Sequence, residues 1–196
     1  MAIAWIKEVR NYHPTATLSL RCEDGRHPTL GEGADRKEYG RDDTISVLPA
    51  KSSSEPTILK ADNFAIPWSF NFSNRLRMST EINKQKVEAT AEIRGESAWD
   101  FILIRDHEMR EIEKIDAGSC GDAPGVNHSW WILSLHSDGD IEFHCLERQG
   151  LLQDEAMNLG RFFLSFLLNA TELGVSALEV YKGHKKEKAE KEKAKA

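Results

Sequence analysis

The stretch His128-Ser-Trp-Trp-Ile-Leu-Ser-Leu-His136-Ser-Asp-Gly-Asp140-Ile-Glu-Phe-His-Cys-Leu-Glu147 decides the fold class. Runs of apolar, aromatic and branched residues flank Asp138-Gly139. Glycine adopts a positive φ freely and aspartate tolerates it, as a tight type I′ turn demands. The stretch therefore predicts a β-hairpin with Asp138-Gly139 as a two-residue loop. That loop would pair His136 with Ile141, Ser134 with Phe143 and Ile132 with Cys145.

The same stretch is dense in metal-binding side chains: His128, His136, His144 and Cys145. Under the two-residue loop, His136 and Cys145 share a face but lie roughly 13 Å apart at ~3.3 Å per residue. That is too far for one zinc ion. His144 falls on the opposite face, across from Leu133. The hairpin alone is thus expected to build no metal site, and no cofactor is expected.

Upstream, the pattern is that of short strands. Ile3 to Arg10 places Ile3, Trp5 and Val9 on one face, and Ala16 to Cys22 alternates with a period of two. Lys86 to Arg94 alternates most cleanly, with Val87, Ala89, Ala91 and Ile93 facing in. Glu23 to Asp43 reads as a long glycine-containing loop, and Pro67 places its strand at an edge or a bulge. After Gly150 the period changes: Leu159, Phe163, Phe166, Ala170, Leu173, Ala177 and Val180 fall on one helical stripe. The expected fold is mainly β: an antiparallel β-sandwich or barrel-like sheet of about nine or ten short strands, residues 1–150. One long amphipathic C-terminal helix, 151–183, packs against it, and a charged Lys/Glu/Ala tail, 184–196, follows.

The chain has 196 residues and a formal net charge of -6. Residues 182–196 hold seven lysines and three glutamates, a local +4, so residues 1–181 carry -10. An acidic body argues against a broad nucleic-acid surface. The three cysteines, Cys22, Cys120 and Cys145, are odd in number, and the first residues lack the shape of a signal peptide. These features predict free thiols in a cytoplasmic protein. No 18-residue uncharged apolar run is present, which argues against a spanning helix. Asn71-Phe-Ser73, Asn127-His-Ser129 and Asn169-Ala-Thr171 match the loose glycosylation pattern and carry no weight without secretion.

Three groups of residues are candidates for function. Gly118-Ser119-Cys120-Gly121, followed by the strand Trp131 to His136, resembles the nucleophile loop of chymotrypsin-like viral cysteine proteases. The resemblance covers about twenty residues. It implies Cys120 as nucleophile, with His13 or His27 as the base ahead of Asp42 and Asp43. Only twelve residues precede His13, too few for the barrel strands that the family places there. The second group is aromatic: Trp68, Trp130 and Trp131, from a set that includes Trp5 and Trp99, would suit a sugar or lipid head group if exposed. The third is the expected helix, where Phe162, Phe166 and Leu167 would face a second copy, a protein partner or an acidic membrane surface. The reading favoured by the sequence is a non-enzymatic binding or assembly module. A cysteine hydrolase using Cys120 and a peripheral lipid- or membrane-binding protein, with pore formation as one form of the latter, are the alternatives.

Overall fold

The structure is a computed structural model. It describes residues 2–23, 28–40, 43–52, 55–69, 72–73, 75–96, 99–117, 120, 128–146 and 158–163. Among these are fifteen strands and one 3-10 turn, Gly33–Asp35. The nine-stranded sheet holds β1 (Ala2–Asn11), β3 (Thr29–Leu30), β4 (Lys37–Glu38), β6 (Thr57–Asn63), β7 (Ala65–Ser69), β8 (Phe72–Ser73), β13 (His128–Leu135), β14 (Asp140–Cys145) and β15 (Asn158–Phe163). Its main path runs β15-β14-β13-β1-β6-β3-β4, with β7 and β8 branching from β1. The six-stranded sheet holds β2 (Leu18–Cys22), β5 (Ile45–Val47), β9 (Arg75–Ile82), β10 (Gln85–Glu96), β11 (Trp99–Arg105) and β12 (Glu111–Asp116). Its order is β12-β11-β10-β9-β2-β5. The mainly β architecture expected from alternation is present.

The two sheets share one apolar core. Val87, Ala89, Ala91 and Ile93 of β10 are all buried, as their alternation predicts. Leu18, Leu20 and Cys22 of β2 join them, together with Leu133, Trp131, Ile141 and Phe143 of the hairpin. Pairing is antiparallel except between β1 and β13, which run parallel at the centre of the larger sheet. The long loop expected over Glu23 to Asp43 includes the short strands β3 and β4, which extend this sheet.

A bulge in β1 corrects its expected face. Ile6 pairs with Trp131 and Glu8 with Ile132, so Lys7 is an extra residue. Ala4 and Ile6 are buried before the bulge and Val9 after it, while Trp5 is half-buried on the other side. Strict alternation cannot register such an insertion.

The C-terminal helix also needs correction. Asn158–Phe163 is a strand paired antiparallel with β14. Leu159 and Phe163 match a helical stripe in sequence, but six residues are short enough for either period to fit. Sheet pairing with β14 satisfies the backbone here. Phe162 therefore belongs to a strand rather than a helix. Phe166, Leu167 and the remainder of the expected helix and tail lie outside the described residues.

Asn11 ties the sheets together where β1 ends. Its Nδ2 donates to the carbonyls of Ala16 (2.8 Å), Val47 (3.0 Å) and Leu48 (3.0 Å). Its Oδ1 accepts from the His13 amide at 2.9 Å. The residue is fully buried, so removing the amide leaves several polar groups without water or a partner. Asn11→Ala is expected to lower unfolding stability by about 2 kcal/mol in urea denaturation. An unchanged midpoint would show that solvent replaces the amide.

Candidate metal centre

The hairpin forms where the sequence placed it, but in a different register. His136 donates its backbone N–H to the Asp140 carbonyl at 2.7 Å, and Gly139 donates to the His136 carbonyl at 3.1 Å. The loop thus has three residues, Ser137 to Gly139, with Gly139 at φ +89°. A turn closed by a left-handed glycine is the three-residue solution to hairpin closure. Leu135 then pairs with Ile141, Ser134 with Glu142, Leu133 with Phe143, Ile132 with His144 and Trp131 with Cys145.

One residue of register changes every face assignment. His144 moves to the face of His136, and Glu142 joins both. Leu133, Leu135, Ile141 and Phe143 fill the opposite, core-facing side. The register on which the absence of a metal site was expected is therefore corrected: the groups brought together are His136, Glu142 and His144, not His136 and Cys145. The Asp-Gly pair suits both loop lengths, and the choice between them decides the site.

Glu142 is the centre of the group. Its Oε2 lies 2.6 Å from His136 Nε2 and 2.8 Å from His144 Nε2. The three ligand atoms lie within 4.8 Å of one another. An ionised carboxylate only accepts, so both imidazoles donate to it in this arrangement. The Glu142 side chain is 2% exposed, and the two histidine side chains are 26% and 25% exposed. Glu142 Oε1 is also buried and finds no hydrogen-bond partner among the described residues. Tyr12 stacks on His136 with ring centroids 5.7 Å apart and planes 8° apart, which fixes that imidazole from one side. The site is thus anchored in the sheet and open through its histidines.

Burial pushes the Glu142 carboxyl up, but hydrogen bonds from His136 and His144, with their charge, outweigh it and hold the pKa down at about 2. The ordinary value is 4.5, so the carboxylate contributes stability above that pH. The contribution fades as pH falls toward 2. In metal-free protein, thermal melts between pH 5 and pH 2 are expected to lose stability more steeply than those of Glu142→Gln. Parallel curves would sever the link between this carboxylate and acid stability.

Two imidazoles and one carboxylate fit a divalent transition-metal ion. Zinc takes such ligands at about 2.0–2.2 Å, and three protein ligands leave a position for water or another ligand. The buried, unpartnered Oε1 supplies a further oxygen on the same carboxylate.

A second ionic cluster has a structural explanation. Glu92 of β10 is fully buried beneath Arg105 at 2.8 Å and Arg75 and Arg94 at 3.3 Å. Burial raises its pKa, and hydrogen bonds from Arg105 and Arg94 more than reverse the effect. The carboxylate occupies the place at which an external anion would meet these guanidinium groups.

The other expected sites separate. Cys120 is bonded to Cys145, with Cα atoms 5.4 Å apart. This corrects the expectation of free thiols and removes the thiolate that a Cys120 nucleophile needs; Cys22 alone is a buried free cysteine. Spacing gave no warning, because the partners meet only once β14 pairs with β13. His13 Nδ1 already accepts the amides of Thr15 (3.2 Å) and Ala16 (2.9 Å), a turn-stabilising role, and His27 lies outside the described residues. Trp131 is fully buried in the core. Trp130 is half-buried on the same side of β13 as His136, whereas Trp68 is placed only through its strand, opposite Ala2.

These features define a mainly β, two-sheet protein with a His–Glu–His cluster on one sheet face. No family model, curated protein or solved structure matches the chain. Among the described residues, no helix is long and apolar enough to cross a membrane.

Proposed function

We propose that this protein is a non-enzymatic binding module whose ligand is a divalent transition-metal ion held by His136, Glu142 and His144. The observation that carries this reading is the convergence of two imidazoles on one buried carboxylate. Zinc is the natural probe, since its site chemistry combines nitrogen and carboxylate ligands without geometric demands from d electrons.

The disulfide bears on location. Disulfides persist in oxidising compartments and are rare in the cytoplasm of most cells. This favours an oxidising setting over the cytoplasmic one expected from the cysteine count. With Cys120 held in a disulfide, the cysteine-hydrolase alternative lacks its nucleophile. The sugar or lipid alternative retains only Trp130 as a placed candidate on an outer face. Assembly through an expected helix loses Phe162 to β15.

Titration of the intact, oxidised protein with zinc by calorimetry tests the proposal, with cobalt spectra reporting the coordination. One equivalent per chain is expected, with cobalt bands characteristic of nitrogen and oxygen ligands. An absence of saturable binding up to millimolar metal would overturn the reading.

A further inference from the structure

We propose that the metal site is gated by the Cys120–Cys145 disulfide: a thiol reductant that opens the bond weakens metal binding, and bound metal protects the bond. The inference rests on the metal-binding reading above. Cys120 and Cys145 are 25 residues apart in sequence, and all three ligands, His136, Glu142 and His144, lie between them. The bond therefore closes the covalent loop that carries the whole site, and Cys145 immediately follows His144.

The sulfur and the imidazole do not compete for the same space. Successive strand residues point to opposite faces. Cys145 packs against the core, and Cys120 is buried there at 6% exposure. His144 is on the outer face with Glu142. The disulfide thus fixes the β14 backbone from the core side and leaves the coordination positions free.

The local ladder makes that fixation matter. The β14–β15 pairing shifts register between Phe143 and His144, so the regular hydrogen bonding on that side is disturbed at the ligand. On the other side, the pairing of Trp131 with Cys145 and the Leu146 N–H to Trp130 carbonyl bond of 2.8 Å are the last described ties. His144 therefore sits near the end of a strand whose remaining covalent anchor is the next residue. Without the bond, the open conformations of this segment multiply, and holding three ligands together costs more entropy.

The redox step is ordinary thiol–disulfide exchange. The thiolate of a small-molecule thiol attacks one cysteine sulfur, the S–S bond breaks and a mixed disulfide forms. A second reductant thiolate attacks the reductant's sulfur in the mixed disulfide and displaces the protein sulfur still held there, and the protons of the two reductant thiols pass to the two protein thiolates. Two protein thiols and one oxidised reductant result, with two electrons supplied by the reductant. Linkage then requires reciprocity: the factor by which reduction weakens metal binding is the factor by which metal disfavours reduction.

The test uses the full chain in both redox states. Protein is reduced with a thiol, desalted without oxygen and titrated with zinc against a chromophoric chelator, beside the oxidised protein. Reduction is expected to weaken zinc binding by about tenfold, within the usual range of site coupling. Circular dichroism must show the same β content in both states. If reduction unfolds the chain, Cys120→Ser/Cys145→Ser at low temperature replaces the reduced protein. The reciprocal measurement equilibrates the protein in glutathione buffers with and without zinc and counts thiols by alkylation. Zinc should shift the oxidised fraction toward more reducing buffers by the matching factor. Equal or tighter zinc binding after reduction overturns the gate while leaving the metal site standing. No zinc binding in either state overturns the metal reading itself.

Discussion

Glu142→Gln is expected to lower zinc affinity by at least about 100-fold, and His144→Ala by a similar or larger factor. Both are read by competition with a chromophoric chelator on oxidised protein. Glutamine keeps the size of the side chain but loses the charge that opposes the metal, and its amide nitrogen is not a ligand. Alanine at position 144 removes one imidazole and leaves the His136–Glu142 pair at 2.6 Å. Two donors cannot enclose the ion as three do. A loss of 100-fold corresponds to about 2.7 kcal/mol. The fold should survive both changes, because the apolar side of the hairpin is untouched. Unaltered affinity in either variant would show that the metal binds elsewhere.

Trp131→Ala is expected to destabilise the protein by about 3–5 kcal/mol in urea denaturation. Trp131 is among the largest fully buried side chains. Its indole N–H donates to Ser129 Oγ at 2.7 Å, and its ring meets Phe143 edge-on at 6.2 Å between centroids. Alanine leaves a cavity among residues from both sheets and an unpaired buried hydroxyl. Small domains are stable by only about 5–15 kcal/mol, so this one change removes a large share. Trp131→Phe restores most of the volume and should recover more than half of the loss. A deficit below 1 kcal/mol for Trp131→Ala would contradict the core placement.

Much of the fold was legible because alternation reports burial directly. Val87, Ala89, Ala91 and Ile93 needed no partner strand to be recognised as a core face. The failures share one cause: each depends on an event outside the local pattern. The bulge at Lys7 leaves no mark in composition. Asn158–Phe163 is too short for its period to separate strand from helix, and its pairing with β14 decides the matter. The His136–Glu142–His144 cluster was hidden by a single residue of loop length. The disulfide was hidden because its cysteines become neighbours only after the hairpin docks. The buried Glu92 could have been suspected from the arginines on its own and adjacent strands, but only once strand order was known.

The parallel pairing of β1 with β13 has a consequence for synthesis. Asn11 meets Leu135, and Ile3 meets His128, so the first strand of the chain waits for more than a hundred residues before one of its edges is covered. At about 5–20 residues per second, that wait lasts roughly six seconds or more. Antiparallel pairing with β6 and β7 covers the opposite edge earlier. Until β13 is made, this edge of β1 has no strand to pair with in its own chain, and an open edge can pair with a neighbouring chain. Topologies rich in distant contacts fold slowly for the same reason. Crowded expression therefore favours aggregation through β1, and slower synthesis or a bound chaperone should raise the soluble yield.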